Sequence, residues 1–267
     1  MLTRLFVRFG YFRYEADLKK EKVFILNSGN TLFKKILTFL GNLFFAYTVI
    51  IAFALILFSS VTIECDVIGS SMKPTYNNYP SDKVHDIVYV NKADKDLHYK
   101  DIIVLSTDDE SIIKRVIGLG GDIIDIVLSD GEYKVERNGE ILEENYIYYD
   151  YSPSVPANEK NGMYHDENDE TNVRYGTYNK FMLLKTTKPE LFQDGKLVVP
   201  EGEVFVLGDN RKVSQDSAHY GTFKLSKVIG KVENVRYYGE SEFGFYYNYI
   251  IRGEFFSTIA NLFWNFR

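Results

Sequence analysis

The pattern of apolar and polar positions begins with one long apolar run. Residues 36–63 contain no charged side chain, and about 20 apolar residues suffice to cross the hydrocarbon core of a bilayer. This stretch therefore predicts a membrane-spanning helix with its buried centre near 40–61. A cleaved secretory signal has a shorter apolar region that ends in a small-residue cleavage site, so we expect an uncleaved anchor.

Beyond this anchor the pattern changes to short alternating or β-branched runs bounded by Gly, Asp, Asn and Pro, which is typical of β-strands. No segment there shows a long helical stripe. Residues 64–240 are therefore expected to form a mostly β body built on antiparallel sheet. Asp-Gly at 130–131 and Asn-Gly at 138–139 favour hairpin turns, which predicts two or three antiparallel strands over 122–142. The predicted strands are 86–90, 101–105, 111–117, 122–127, 132–135, 196–199, 203–207 and 224–235.

Three further segments depart from the β pattern. Residues 1–35 are basic and aromatic, and both a cytoplasmic leader and a helix lying on anionic lipid fit them. Within a region at 145–195, residues 150–172 are polar, acidic and rich in turn formers, which predicts an exposed insertion. Apolar residues recur at helical spacing within 241–267, which predicts a C-terminal helix either docked on the body or lying at the lipid boundary.

Composition and charge narrow the class of protein. A net charge of -6 and a pI near 5.4 argue against a nucleic-acid partner, which would need a basic surface. The single cysteine, Cys65, excludes an intramolecular disulfide and a cysteine-rich metal site, and we expect neither a metal nor a cofactor. Lysines precede the anchor and acidic residues follow it, which predicts a single-pass protein of the cell membrane with a cytoplasmic N-terminus and an extracytoplasmic body.

The candidate nucleophile is Ser71, which lies shortly after the anchor. Serine needs a neighbouring base to attack a carbonyl, but the four histidines have no triad context and no Gly-x-Ser-x-Gly elbow is present. A lysine made neutral by burial is the alternative base. Lys114 fits this role, because strand alternation places it on the same face as Ile112 and Val116.

A third stretch, 208–217, follows an apolar strand and is dense in groups that can orient or neutralise others, although an ordinary charged turn has the same composition. Three sequences now stand in order behind one anchor: Ser-Met-Lys-Pro-Thr at 71–75, Lys-Arg-Val-Ile-Gly-Leu-Gly-Gly-Asp at 114–122, and Gly-Asp-Asn-Arg-Lys-Val-Ser-Gln-Asp-Ser at 208–217. Together they resemble the motifs of bacterial type I signal peptidases. The resemblance runs from the anchor to about residue 237.

This resemblance implies a membrane-anchored serine endopeptidase that removes signal peptides from secretory preproteins at small-x-small sites. It implies that Ser71 is the nucleophile, that Lys114 is the general base, and that the backbone N–H of Ser71 contributes to the oxyanion hole. Some members carry a hydroxyl two residues before the nucleophile. Gly69 stands there, so a second donor must come from backbone or water.

The resemblance also implies supporting roles for further residues. Ser214 helps to orient the lysine, and Met72 packs beside the nucleophile. Asp209 and Asp216 brace the site, with Arg115 as their ionic partner.

Two positions depart from the family pattern. Gly120 replaces a proline, which loosens that turn. Ala218 replaces an arginine, which removes an ion pair that would fix Asp216, and we hypothesise that Arg115 or His219 substitutes. Two other functions stay open at this point: a Ser-Lys protease dedicated to one substrate, and an inactive homologue that binds preproteins without cutting them.

Overall fold

The computed structural model describes residues 31–81, 83–164 and 176–241. The chain divides into two compact units, 1–59 and 60–267, and each is described by itself. The predicted C-terminal helix lies outside the described residues, apart from 241, and most of the predicted leader lies outside them too.

The first unit is dominated by helix α1, Thr31–Val61. Its segment Leu32–Ile56 has a mean hydropathy of 2.2 and is long and apolar enough to cross a membrane. A helix satisfies its own backbone polar groups, and the hydroxyls of Thr38 and Thr48 donate to carbonyls one turn earlier. The prediction of one apolar helix that fits a single transmembrane anchor is confirmed.

The described part of the second unit contains twelve strands and five short helices. The strands are β1 (Thr62–Asp66), β2 (Ile87–Asn91), β3 (Ile102–Ser106), β4 (Ser111–Leu119), β5 (Ile123–Ser129), β6 (Glu132–Arg137), β7 (Glu140–Ile141), β8 (Phe192–Gln193), β9 (Lys196–Val198), β10 (Glu203–Leu207), β11 (Phe223–Lys224) and β12 (Val228–Arg236). The α-helices are α2 (Thr177–Thr187) and α3 (Ser217–Tyr220), and 3-10 turns lie at Ala157–Glu159, Pro189–Leu191 and Leu225–Lys227.

These strands form two antiparallel sheets. The larger has the order β1-β2-β12-β3-β4-β10-β11 and the smaller has the order β7-β6-β5-β9-β8. In the smaller sheet, Asp130 and Gly131 have φ of 57° and 79°, and Asn138 and Gly139 have φ of 55° and 86°. Two successive positive φ angles suit tight hairpin turns. The mostly β fold and the predicted hairpins over 122–142 are confirmed.

Helix α2 was not predicted, because its apolar stripe is short. Only Phe181 and Leu184 supply buried apolar side chains. The Phe181 ring meets the edges of Phe192 and Phe205 at centroid distances of 5.4 and 6.4 Å. Packing of this kind, rather than intrinsic propensity, stabilises a short helix.

The expected exposure of 150–172 is wrong for its described central part. Asn161, Met163 and Tyr164 are buried, and Met163 belongs to the same apolar cluster as Phe181. The segment therefore packs on the body at this point, because its few apolar side chains are placed where the core can receive them.

The predicted strand 224–235 is also wrong in part. The 3-10 turn Leu225–Lys227 separates two strands: β11 pairs with β10, whereas β12 lies between β2 and β3. The chain thus crosses the larger sheet within a few residues, which a continuous apolar pattern does not reveal.

Strands β4 and β10 are neighbours inside the larger sheet, and their side chains contribute to two apolar clusters. Val116, Val204 and Val206 belong to one cluster, whereas Ile117 and Phe205 belong to the other. Both strands are therefore fixed on two sides. The candidate base lies on β4, and the third motif begins where β10 ends.

Candidate active site

Ser71 lies in the loop that follows β1. The start of this loop is held by Asn77, whose side-chain amide donates to the carbonyls of Val67 and Gly69. Asn77 and Asp86 also exchange backbone-to-side-chain hydrogen bonds of 2.7 and 2.8 Å. Because these hydrogen bonds cross the loop, the segment that carries Ser71 has a defined conformation.

Residues on both sides of Ser71 reinforce that conformation. Met72 is buried in an apolar cluster with Val67 and Val88. Gly69 has a φ of 88°, a value that glycine adopts without strain. Among the described residues other than its two chain neighbours, none places an atom within 4 Å of where a Cβ would stand, so backbone conformation rather than crowding favours glycine there.

Lys114 projects from β4 toward Ser71, the predicted nucleophile. Its Nζ lies 3.1 Å from Ser71 Oγ and donates to the carbonyl of Ile113 at 2.8 Å. The residue is only 3% exposed. Burial lowers the pKa of Lys114, because desolvation disfavours the ammonium form, while the nearby carboxylates of Asp216, Glu110 and Asp209 oppose that decrease.

Asp209 joins all three motifs through one buried carboxylate. Arg115 donates through Nε to Oδ1 at 2.8 Å and through Nη2 to Oδ2 at 2.6 Å, and the hydroxyl of Thr75 also donates to Oδ2. Asp209 is 0% exposed. A bidentate pair between a guanidinium and a carboxylate fixes both distance and orientation, so the segments of Ser71 and Lys114 are held together at this point.

The third motif also contacts Ser71 through its backbone. The N–H of Asn210 donates to the carbonyl of Ser71 at 2.9 Å. A Cβ at Gly208 would lie 2.6 Å from that carbonyl and closer still to Ser214 Oγ. A glycine at 208 is therefore needed for this close approach.

Ser214 is brought to the site, although its expected role stays a prediction. It is 0% exposed, and its hydroxyl has no hydrogen-bond partner within the described part of the chain. The hydrogen bonds of Lys114 go to Ser71 and to the Ile113 carbonyl instead.

A groove of about 550 Å³ opens over the two reactive groups. Ser71 and Lys114 both line it, as do Val88 and Val104. Residues 66–69 also line the groove, and β2 contributes Val88 alone. A serine hydroxyl and a buried amine at the floor of a partly apolar groove form an arrangement suited to attack on a peptide carbonyl.

The family model described as signal peptidase, peptidase S26, matches residues 40–237. The chain belongs to this signal peptidase family. Signal peptidase I of Bacillus caldolyticus is 32% identical over 209 residues, which cover 76% of this chain and 91% of the relative. Signal peptidase I of Streptococcus pneumoniae is 32% identical over 212 residues, which cover 76% and 93%.

Signal peptidase I V of Bacillus subtilis is 29% identical over 198 residues, which cover 72% of this chain and 95% of the relative. A solved signal peptidase I from Enterococcus faecalis is 29% identical and covers 51% of this chain and 97% of its own, with a TM-score of 0.35, too low for a comparison of folds. Family membership makes the protein a serine endopeptidase that removes signal peptides.

The two departures from the signal peptidase motifs have different surroundings. A Cβ at Gly120 would lie 2.9 Å from the carboxylate of Glu201 and 3.0 Å from its Cα, so the turn is closely covered. Ala218 is fully buried in an apolar cluster. Asp216 accepts hydrogen bonds from the backbone N–H groups of Gly208 and Ala218 at 2.9 and 3.1 Å, and thereby caps α3.

Other contacts around the candidate site were missed by sequence reasoning. Arg211 is 1% exposed and forms a two-pronged ion pair with Glu144, and the Arg115 guanidinium lies 4.0 Å from the Tyr146 ring centroid. Asn77 gave one local signal, because Asn is among the residues that tolerate the left-handed conformation it adopts here. Glu144 and Tyr146 gave none, since only the fold brings them to the arginines.

Replacing Asp209 with Asn tests whether the Arg115–Asp209 ion pair holds the candidate site together. The change leaves the buried Arg115 without its anion, and breaking a buried ion pair costs about 3–5 kcal/mol. We expect Asp209→Asn to lower the unfolding temperature clearly and to abolish preprotein cleavage. Thermal unfolding in detergent and a cleavage assay measure both effects.

Asp108→Asn is the matched control, because Asp108 is 95% exposed and pairs with Lys227 at the surface, where ion pairs contribute little. If the two variants unfold at the same temperature, the Arg115–Asp209 ion pair does not hold the site together.

Proposed function

We propose that the protein cleaves preproteins through a Ser71–Lys114 dyad. The observation that carries this proposal is the 3.1 Å separation of Lys114 Nζ and Ser71 Oγ at a lysine that is 3% exposed. Among serine hydrolases the usual base is a histidine, and here a desolvated amine stands at hydrogen-bond distance from the hydroxyl instead.

The reaction proceeds in two halves. In the first, the neutral amine of Lys114 accepts the Ser71 proton while Oγ attacks the scissile carbonyl, and the proton then passes to the leaving amine. An acyl-enzyme ester on Ser71 remains. In the second half, Lys114 removes a proton from a water molecule, which attacks the ester. Lys114 then returns the proton to Ser71 Oγ as the signal peptide is released, which restores the hydroxyl and the neutral amine.

The oxyanion of each tetrahedral intermediate is stabilised by the backbone N–H of Ser71. Gly69 supplies no hydroxyl, so a second donor comes from backbone or water. The loop that carries both residues is fixed by Asn77, which supports a preorganised arrangement of such donors.

The substrate is a secretory preprotein with small side chains at the first and third positions before the scissile bond. An extended peptide presents alternate side chains to the same side. The groove beside Ser71 is lined by Val67, Ile68, Val88 and Val104, side chains suited to small apolar groups.

The membrane is the second partner. We propose that the N-terminus is cytoplasmic and that the catalytic body is extracytoplasmic, which the lysines before α1 and the acidic residues after it support. A signal peptide is itself held in the bilayer, so an anchored enzyme meets its substrate at a raised effective concentration.

Alanine and methionine variants test the dyad. Purified protein in detergent, with a preprotein that carries an Ala-x-Ala site, should release the signal peptide. Ser71→Ala and Lys114→Met should each lower kcat/KM by about a thousandfold or more, because removing one residue of a catalytic unit costs about as much activity as removing the whole unit. The adjacent Ser70→Ala is the control and should cleave like the wild type. A Ser71→Ala variant that cleaves normally contradicts the nucleophile assignment.

Cysteine labelling tests the orientation. In a Cys65→Ser background, Asp108→Cys places a single thiol at a position whose side chain is 95% exposed, whereas Thr3→Cys places one before the anchor. A membrane-impermeant maleimide added to intact cells should label position 108 and not position 3, and permeabilised cells should label both. Labelling of position 3 alone in intact cells contradicts the orientation.

A further inference from the structure

Asp216 carries a buried carboxylate that lacks the arginine of the family motif. It is 1% exposed, and no ion pair within 4.0 Å is formed by Asp216 across residues 31–81, 83–164 and 176–241. Two backbone N–H groups satisfy its oxygens, but backbone amides carry no net charge. A buried carboxylate is costly unless a cation balances it.

Most of the neighbouring basic side chains are paired with other carboxylates or favour the neutral form. Arg115 is bound to Asp209 and Arg211 to Glu144. Burial lowers the pKa of His219 and the charge of Lys180 lowers it further, while Asp216 only partly opposes the decrease, which favours a neutral imidazole. Lys114 is the proposed neutral base. The earlier hypothesis that Arg115 or His219 replaces the missing arginine is therefore not supported.

Lys180 is the basic group that remains. It lies on α2, is 3% exposed, and donates from Nζ to the carbonyl of Ser214 at 2.8 Å and to that of Arg211 at 3.3 Å. The hydroxyl of Thr177, one turn earlier, donates to the same Arg211 carbonyl. The amine thus ties Arg211 to Ser214, two residues before Asp216.

We propose that Lys180 is a positioning residue of the dyad, which clamps the 211–216 segment through two carbonyls and supplies the positive charge that balances Asp216. The inference rests on the proposed Ser71–Lys114 mechanism. Lys180 does not touch the reacting atoms. It acts through Asp216, whose charge in turn acts on Lys114.

The charges around the two lysines determine the direction in which loss of Lys180 should shift the pH dependence of activity. Lys114 faces Asp216, Glu110 and Asp209, and each carboxylate raises its pKa. Burial lowers the pKa of Lys180, and the charge of Asp216 opposes that decrease. Lys180 also faces His219. Loss of the Lys180 charge leaves Asp216 unbalanced, which raises the pKa of Lys114. Because catalysis needs the neutral amine, the rise of activity with pH should move to higher pH.

Lys180→Met removes the charge with little change of volume, and kcat and KM should be measured for the preprotein between pH 6 and about 10. We expect kcat at neutral pH to fall about tenfold or more with KM changed less than about twofold, and the acidic limb to move to higher pH. Lys180→Gln keeps hydrogen-bond donors and should show the same pH shift if the methionine variant does not fold. Lys185→Met, in the last turn of the same helix, is the matched control.

A double variant separates a charge effect from a packing effect. Asp216→Asn should move the acidic limb to lower pH, and adding Lys180→Met to it should cause no further alkaline shift, because neighbours that act through one charge are not additive. Folded Lys180 variants with an unshifted limb overturn this inference alone, provided that Lys114→Met is inactive. An active Lys114→Met overturns the proposed mechanism itself.

Discussion

The ion pair between Arg115 and Asp209 is the interaction on which the site depends. Arg115 directly follows Lys114 on β4, and Asp209 lies at the end of β10 beside Asn210, which binds the carbonyl of Ser71. The pair therefore fixes the strand of Lys114, the proposed base, to the segment that contacts Ser71, the proposed nucleophile. Thr75 extends the junction to the loop of the nucleophile, so three distant sequences meet at one buried carboxylate.

Around this junction, the site balances burial against charge. In the proposed mechanism Lys114 must be desolvated to act as a base, yet the carboxylates of Asp216 and Asp209 favour its ammonium form. Cations that neutralise these carboxylates allow both requirements to be met. Arg115 does this for Asp209 by direct contact, and the proposal assigns the corresponding role at Asp216 to Lys180.

Local pattern was sufficient to predict much of this molecule. Alternating strands, the two hairpin turns and the apolar helix α1 follow from residue types over short windows, and three motifs identified Ser71, Lys114 and Asp209. The sequence pattern gave no correct prediction where tertiary contacts determine the secondary structure or the burial of a side chain. Helix α2 has little apolar periodicity and depends on packing of Phe181, and Lys180 looks like any helical lysine until the fold buries it.

The same limit explains the residues that surround the arginines. Glu144 and Tyr146 lie in a polar stretch without periodicity, and only the fold brings them to Arg211 and Arg115. The missing arginine at 218 could be recognised from the motif. What replaces it could not, because the replacement comes from a different helix.

Titration of the Lys114 side chain tests the central claim most directly. In protein labelled with ¹⁵N-lysine, the Nζ resonance of Lys114 is assigned by its loss in Lys114→Met and followed by NMR as the pH is raised. We predict that Lys114 deprotonates well below about 10.4, the pKa of an unperturbed lysine, and before the exposed lysines do. Deprotonation of Lys114 together with the exposed lysines contradicts a neutral base.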